Sequence, residues 1–194
     1  MALAQKGRFG LTAAKRGMGD FMRQFARTLA ALTCAATVTT WFGTTPVQAR
    51  EVVAFRDPGV SAGTVVIRTH ERRLYYVLGD GRAVRYPVGV GRAGKQWAGT
   101  TRIDGKYVKP AWSPPKEVKR DKPSIPDLIA GGSPRNPMGA AALTLAGGEY
   151  AIHGTNMPGS VGGFVSYGCI RMFNQDVVDL YDRVSVGTTV MVVR

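Results

Sequence analysis

Glycine and proline interrupt this chain so often that they leave little room for long helices. The 194 residues include 25 glycines and 11 prolines, and both residue types are favoured in turns. The chain is 44% hydrophobic and 20% charged, and its length suits one domain with a sizeable core. We therefore expect a single, mainly β domain built from short strands.

Several segments between the turns predict strands. "GTVVIRTH" predicts one strand, and "RRLYYVLGDGRAVRYPVGVG" predicts a hairpin that turns at residues 79–81. "TTRIDGKYVKP" predicts a second hairpin, which turns at Asp104 and Gly105. Two more short strands are expected on either side of Gly147 and Gly148, and "VGTTVMVVR" predicts a buried terminal strand.

One helix is expected, shortly before that terminal strand. Asn174 is a suitable N-cap, and Asp176 lies in the first turn, where its charge complements the helix dipole. The apolar face of this helix consists of Val177, Leu180, Tyr181 and Val184.

Residues 1–49 are typical of a signal peptide. Six basic residues and one acidic residue precede an uncharged stretch at residues 29–43, and "PVQA" ends at Ala49, a suitable cleavage point. The uncharged stretch has the length of a signal-peptide core and is short for a membrane span. We expect export to the periplasm or cell envelope; the alternative is an uncleaved anchor.

Export limits the binding partners that a positively charged protein can meet. Without residues 1–49 the formal net charge falls from +13 to +8. Anionic envelope polymers and membrane surfaces are the natural counterparts of this charge outside the cytoplasm. No nucleic-acid partner is expected, since the chain has neither zinc-finger spacing nor an aromatic run of the RNA-binding type. We expect a monomer.

Residues 109–137, which we call the Pro-rich segment, contain seven of the eleven prolines and no regular periodicity. A long irregular insert in a compact domain is usually a functional lid or binding loop. The part of this insert at residues 109–126 combines Trp112 with five basic residues, which suits a lid over an extended anionic or peptide ligand. A solvated insertion is the alternative.

Neither a nucleotide cofactor nor a metal is expected. "GVGRAG" at residues 89–94 has the spacing of a dinucleotide fingerprint, but the "KQWAGTTRIDG" that follows does not predict the required helix. Beyond residue 49 the chain has two histidines and one cysteine, and His70 lies far along the chain from the others.

Cys169 is the one cysteine left if residues 1–49 are removed, so it has no internal disulfide partner. His153 stands sixteen residues earlier, and four glycines from Gly154 to Gly163 allow the chain to fold back. Histidine is the side chain best suited to take a thiol proton near neutral pH. Gly168 lets backbone amides face a developing oxyanion, and Arg171 is placed to bind a carboxylate or favour the thiolate. A catalytic pair and a merely buried cysteine both remain open.

The stretches "HGTN", "SVGG" and "VSYGCIRM" resemble the signature of the L,D-transpeptidases of the YkuD type. In that signature a histidine precedes a Ser-His-Gly-Cys-hydrophobic-Arg/Asn motif by a similar interval. The resemblance continues through "RLYYVLGDGRAVRYPVGVG" upstream and "NQDVVDLYDRVSVGTTVMV" downstream. It implies a β-sandwich-like catalytic domain at residues 63–194, with the Pro-rich segment as a lid, and it leaves residues 50–62 as a short linker.

The resemblance also implies roles for the motif residues. Cys169 matches the nucleophile, and His153 matches the general base. The remaining positions match a carbonyl that orients the histidine (Gly154), oxyanion-binding amides (Tyr167, Gly168 and Cys169) and substrate-binding side chains (Ser166 and Arg171). Tyr167 departs from the family, which commonly has histidine there, and a tyrosine is a poor base near pH 7.

The function implied by the resemblance is peptidoglycan L,D-transpeptidation. The Cys169 thiolate forms an acyl-enzyme with a tetrapeptide stem, releases D-alanine and passes the acyl group to an amine. The acceptor is a second stem in cross-linking or an envelope protein in wall anchoring. Two alternatives remain: an L,D-carboxypeptidase or endopeptidase that uses water at the same site, and an inactive wall-binding module.

Overall fold

The computed structural model describes residues 50–148 and 150–194. The predicted signal peptide, residues 1–49, lies outside the described residues. Within them the chain forms β1 (Glu51–Ala54), β2 (Val65–Arg68), β3 (Arg73–Gly79), β4 (Arg82–Pro87), β5 (Val90–Gly91), β6 (Gly99–Val108), α1 (Lys116–Asp121), β7 (Ala141–Leu145), β8 (Ala151–His153), β9 (Phe164–Ser166), β10 (Ile170–Arg171), α2 (Asn174–Arg183) and β11 (Thr189–Val193). The expected mainly β architecture is confirmed.

Nine strands form one sheet in the order β1-β4-β3-β2-β11-β6-β7-β8-β10, and β5 pairs with β9 in a small second sheet. The terminal strand β11 lies in the middle, parallel to β2 and antiparallel to β6. The first predicted hairpin is confirmed. Asp80 and Gly81 join β3 to β4, both with positive φ, as tight hairpin turns require.

The second predicted hairpin is wrong, because β6 runs straight through Asp104 and Gly105. Its first part pairs with β11, and the rest pairs with β7. The pairing register shifts between Ile103 and Gly105, so these residues form a β-bulge rather than a turn. Each part of the strand finds a partner from a distant part of the chain, which a local turn signal does not reveal.

The core lies between the two halves of the sheet that β6 connects. One buried cluster combines side chains from β2, β3 and β4 with side chains from β7, β8, β10 and α2. Its fully buried members include Ile67, Leu74, Tyr86, Leu143, Ile152, Ile170 and Leu180. This packing holds β8 and β10, which carry the candidate site, on a rigid base.

The helix α2 lies where it was predicted, but its cap differs. Val177, Leu180 and Val184 are buried as expected. Phe173 is the N-cap residue, and no side chain caps the helix. Asn174 is already the first helical residue, and its side chain accepts hydrogen bonds from backbone amides just before β7 and just after β8 instead. Asp176 lies in the first turn, with its side chain buried.

Two other segments are more ordered than predicted. The predicted linker, residues 50–62, contains β1, which pairs with β4 at the edge of the sheet. The Pro-rich segment contains the short helix α1, so α2 is not the one helix of the domain. A bridge between Trp112 and Ile129 closes the segment upon itself.

Candidate active site

The strand pair β8 and β10 brings the candidate catalytic residues together. The two strands are parallel, and His153 lies directly opposite Arg171. Directly opposed residues present their side chains on one face of a sheet. Cys169 immediately precedes β10, two residues before Arg171, so it shares that face.

A cavity of about 70 Å³ lies over this face. On the side of β8 and the β9–β10 connection it is lined by His153, Ser166, Tyr167, Cys169 and Arg171, and on the other side by Trp112, Pro115, Val118, Pro137 and Met138. Four of those five belong to the Pro-rich segment. The segment therefore covers the thiol.

His153 is 4% exposed, and one of its ring nitrogens has a defined partner. Nδ1 lies 2.6 Å from the carbonyl oxygen of Gly154. A carbonyl can only accept a hydrogen bond, so Nδ1 carries the proton and Nε2 has the free electron pair. Burial and the Arg171 charge lower the pKa of His153 to about 4, against the opposing effect of the Gly154 and Pro137 carbonyls. The ring is neutral at pH 7.

Cys169 is a free, half-buried cysteine. Burial raises the pKa of its thiol, while the Ala151 amide and the Arg171 charge act in the opposite direction. Burial also lowers the pKa of the Arg171 guanidinium, whose Nε is buried and has no hydrogen-bond partner among the described residues. The resting site thus holds a protonated thiol, a neutral imidazole and an incompletely paired cation.

Ser166 stabilises the turn that carries the thiol, which we call the Cys169 turn (residues 166–169). Its hydroxyl donates to the Cys169 carbonyl at 2.6 Å and accepts from the Gly168 amide at 3.1 Å. The side chain is 3% exposed. Ser166 therefore makes both of these hydrogen bonds within the turn, and the Gly168 amide is already engaged. The expected contact of Ser166 with substrate stays a prediction.

Gly168 has to be glycine for two reasons. Its φ is +127°, and a Cβ atom would lie 2.2 Å from the Tyr150 ring. Tyr150 in turn stacks on Trp97 with ring centroids 4.9 Å apart, and the Trp97 indole donates to the Gly168 carbonyl at 3.0 Å. The rings of Tyr150 and Trp97 thus pack against the Cys169 turn at Gly168.

Gly154 is also required by its surroundings. A Cβ atom there would lie 2.3 Å from Asn174 Oδ1. That oxygen accepts from the amides of Ala140 and Thr155 at 3.0 Å each, and Asn174 Nδ2 donates to the Thr155 carbonyl at 3.0 Å. The first residue of α2 therefore fixes the backbone next to His153.

The Tyr167 hydroxyl contacts α1. It donates to Asp121 Oδ2 at 2.8 Å, and the Arg92 guanidinium lies 4.1 Å from the Tyr167 ring centroid. Arg92 also donates to Asp121 Oδ2 at 3.0 Å. The Tyr167 hydroxyl and Arg92 lower the pKa of Asp121 to about 2, and Asp121 raises the pKa of Tyr167. Tyr167 is thus unsuited to act as a base.

The supporting residues were missed by the sequence analysis. Arg92, Trp97, Asp121 and Tyr150 all lie far from Cys169 along the chain, so no local motif includes them.

Among the described residues no group of three His, Cys, Asp or Glu side chains is arranged to bind a metal ion. In the same residues no helix has both the length and the apolarity to cross a membrane.

Comparison with known proteins identifies the family. The family model of the L,D-transpeptidase catalytic domain, named YkuD, matches residues 62–192, and the chain belongs to this family. The probable L,D-transpeptidase ErfK/SrfK of Escherichia coli K12 is 38% identical over 138 residues, which are 66% of this chain. The chain spans 43% of the length of that relative.

Solved structures agree on the fold. An L,D-transpeptidase from Mycobacterium smegmatis matches with a TM-score of 0.55 at 20% identity, over 75% of this chain and 68% of that one. A structure from Brucella melitensis is 38% identical, with a TM-score of 0.51 and 75% and 93% covered. It is described as a probable carnitine operon oxidoreductase. In this chain residues 89–94 run from β5 into a turn before β6, so they lack the helix of a dinucleotide site.

Proposed function

We propose that this protein is a peptidoglycan L,D-transpeptidase with Cys169 as its nucleophile. The observation that carries the proposal is the cavity in which Cys169, His153 and Arg171 meet under the Pro-rich segment, in a chain of this family. The substrate is a tetrapeptide stem, and the attacked carbonyl joins the L-centre of its diamino acid to the terminal D-alanine. No cofactor or metal takes part.

His153 serves as the base. At pH 7 its ring is neutral and Cys169 is a thiol, as the directions of their pKa shifts require. Proton transfer from Sγ to Nε2 therefore accompanies attack on the carbonyl instead of preceding it. The Gly154 and Pro137 carbonyls, which favour the protonated ring, stabilise the imidazolium that forms.

The acyl transfer has two steps. A C–S bond forms, the amide C–N bond breaks, and D-alanine leaves with the proton from His153. An amine then attacks the thioester, a new C–N bond forms, the C–S bond breaks, and His153 passes the proton lost by the amine to the sulfur. The oxyanion is bound by the amides of Tyr167 and Cys169, since the Gly168 amide is held by Ser166 in the structure. Because the thioester stores the energy of the broken amide, ATP is not needed.

Arg171 is the proposed substrate-binding side chain. It lines the cavity beside Cys169, and its buried Nε lacks a partner among the described residues. A buried cation without full hydrogen bonding is stabilised by an anion. The carboxylate of the terminal D-alanine is the anion that the substrate supplies.

The same intermediate leads to three products. A second stem gives a cross-link, a lysine of an envelope protein gives an anchored protein, and water gives hydrolysis. Hydrolysis at this site is the alternative function, and exclusion of water by the Pro-rich segment favours transfer.

The test incubates the purified protein with wall fragments that carry tetrapeptide stems and weighs the products. We expect loss of D-alanine, a thioester on Cys169 and a transferred product. Cys169→Ser should abolish all three and leave the fold intact, because a serine hydroxyl lacks a sufficiently strong base here. Full activity of Cys169→Ser would overturn the mechanism, and an unreactive thiol in the parent would favour an inactive wall-binding module.

Export belongs to the proposal as well. Residues 1–49 have the composition of a signal peptide, and the substrate lies outside the cytoplasm. Protein isolated from its native host should begin at or near Arg50. N-terminal sequencing that finds residues 1–30 still attached would favour the anchored alternative.

A further inference from the structure

The helix α1 attaches the Pro-rich segment to the rest of the domain through one acidic face. Glu117 and Asp121 are four residues apart, so they lie on the same side of the helix. Glu117 forms an ion pair with Lys95, and Asp121 forms one with Arg92 at 3.0 Å. Both basic residues belong to the connection between β5 and β6, which carries Trp97 toward the Cys169 turn.

Tyr167 joins this attachment to the Cys169 turn. Its hydroxyl and the Arg92 guanidinium both donate to Oδ2 of Asp121, at 2.8 Å and 3.0 Å. The Arg92 guanidinium also lies over the Tyr167 ring. One carboxylate of the Pro-rich segment is thus bound to a side chain only two residues from the thiol.

The base of the Pro-rich segment is held differently. Asn136 is 2% exposed, and its amide donates to the carbonyls of Pro110, Ile129 and Ala130 at 2.9 to 3.2 Å. These buried contacts tie the two ends of the segment to each other. The ion pairs and hydrogen bonds that α1 makes through Glu117 and Asp121 are partly or fully exposed to solvent, so they break far more easily than the buried ones. Val118 is the one buried residue of α1, and it contacts the cavity through its apolar side chain. The segment is therefore fixed at its base and releasable at α1.

The covered cavity requires such a release. Its volume is about 70 Å³, whereas pockets that bind drug-sized ligands have roughly 300 Å³ or more. A tetrapeptide stem cannot enter unless the Pro-rich segment moves. Closure after acylation then decides whether water reaches the thioester.

We propose that Tyr167, Asp121 and Arg92 form a latch that closes the Pro-rich segment over the Cys169 thioester and thereby favours amine acceptors over water. The residues of the latch are positioning residues, since Tyr167 acts through Asp121 and not on the substrate. The effect of the latch on the choice of acceptor rests on the proposed function. The latch itself depends only on the contacts among these three side chains.

The experiment compares the parent with Tyr167→Phe, Asp121→Asn and the double variant. Asp127→Asn is the matched control: Asp127 pairs with Lys119 of α1 at 2.6 Å, so the variant removes a charge from the same segment without touching the Cys169 turn. Amide hydrogen exchange of residues 116–122 reports opening of the latch. The ratio of hydrolysed to transferred stem peptide, at a fixed concentration of amine acceptor, reports the fate of the acyl-enzyme.

Tyr167→Phe and Asp121→Asn should each raise the exchange rate and raise the hydrolysis ratio by about threefold or more, while Asp127→Asn changes both by less than about 1.5-fold. The double variant should resemble Asp121→Asn, because the contribution of Tyr167 passes through its hydrogen bond to Asp121. Higher ionic strength should speed exchange in the parent by weakening the ion pairs.

Unchanged exchange in both single variants would overturn the latch. Faster exchange with an unchanged hydrolysis ratio would overturn its role in acceptor choice. If the parent forms no thioester on Cys169, the proposed function itself fails, and the exchange comparison still decides whether the latch exists.

Discussion

The three residues before the thiol meet three different local requirements. Ser166 bonds to both sides of the Cys169 turn, and Gly168 adopts a φ that other residues rarely adopt. Tyr167, at the position where the family commonly has histidine, directs its hydroxyl to Asp121. In the proposed mechanism, proton transfer at Cys169 therefore depends on His153, and Tyr167 contributes position.

We predict that Tyr167→Phe lowers the rate of acylation by about tenfold or less, because it keeps the ring and removes one hydrogen bond. His153→Ala removes the proposed base and should lower the rate by about a hundredfold or more. Stopped reactions followed by intact-protein mass spectrometry, from about pH 5 to pH 9, give these rates. Tyr167→His is the control and should remain active. Equal losses in Tyr167→Phe and His153→Ala would make Tyr167 an essential proton carrier and contradict the assignment.

The elements that carry the site are very short, and α2 stabilises them. The strands β8 and β10 contain three and two residues, too few to hold a fixed geometry alone. Asn174 makes three hydrogen bonds to backbone groups at Ala140 and Thr155. Because Thr155 lies two residues after His153, α2 controls the position of the imidazole.

Asn174→Ala tests this support. It leaves two amides and one carbonyl without their partner, so we expect the free energy of unfolding to fall by about 2 kcal/mol. Acylation should slow as well, since the backbone beside His153 is released. Gln175→Ala, at the next and exposed position of α2, is the control and should change the free energy by less than about 0.5 kcal/mol. Urea unfolding measures both, and equal effects of the two variants would show that Asn174 has no special role.

For the whole molecule, burial of the site makes stability depend on pH. His153 lies inside the domain with a pKa of about 4, below the ordinary value of about 6.5 that it regains on unfolding. Between these two values the unfolded chain binds the additional proton. The contribution of His153 to the free energy of unfolding is therefore fully present above about pH 6.5, and it is lost as the pH decreases toward 4.

We predict that the parent loses about 2 kcal/mol of unfolding free energy through His153 between pH 7 and pH 5. His153→Gln carries no titrating group and should lack this part of the loss. Urea unfolding at the two pH values gives the difference between the two proteins. An identical pH dependence would mean that His153 is not buried as a neutral ring.

The sequence by itself determined the features that depend on neighbours along the chain. The hairpin at Asp80 and Gly81 follows from two residues that accept positive φ, and the buried face of α2 follows from its period. The closeness of His153 and Cys169 was predicted from short strands separated by glycines, and both line one cavity.

The tertiary structure decided the features that depend on hydrogen-bond partners from distant parts of the chain. Asp104 and Gly105 have a local preference for a turn, but β11 and β7 offer hydrogen bonds to both parts of β6, and a continuous strand satisfies more of them. Asn174 bonds to the backbone just before β7 instead of capping its helix. Tyr167 meets Asp121, 46 residues away. A local pattern carries no information about such partners, because their approach is set by the packing of the whole core.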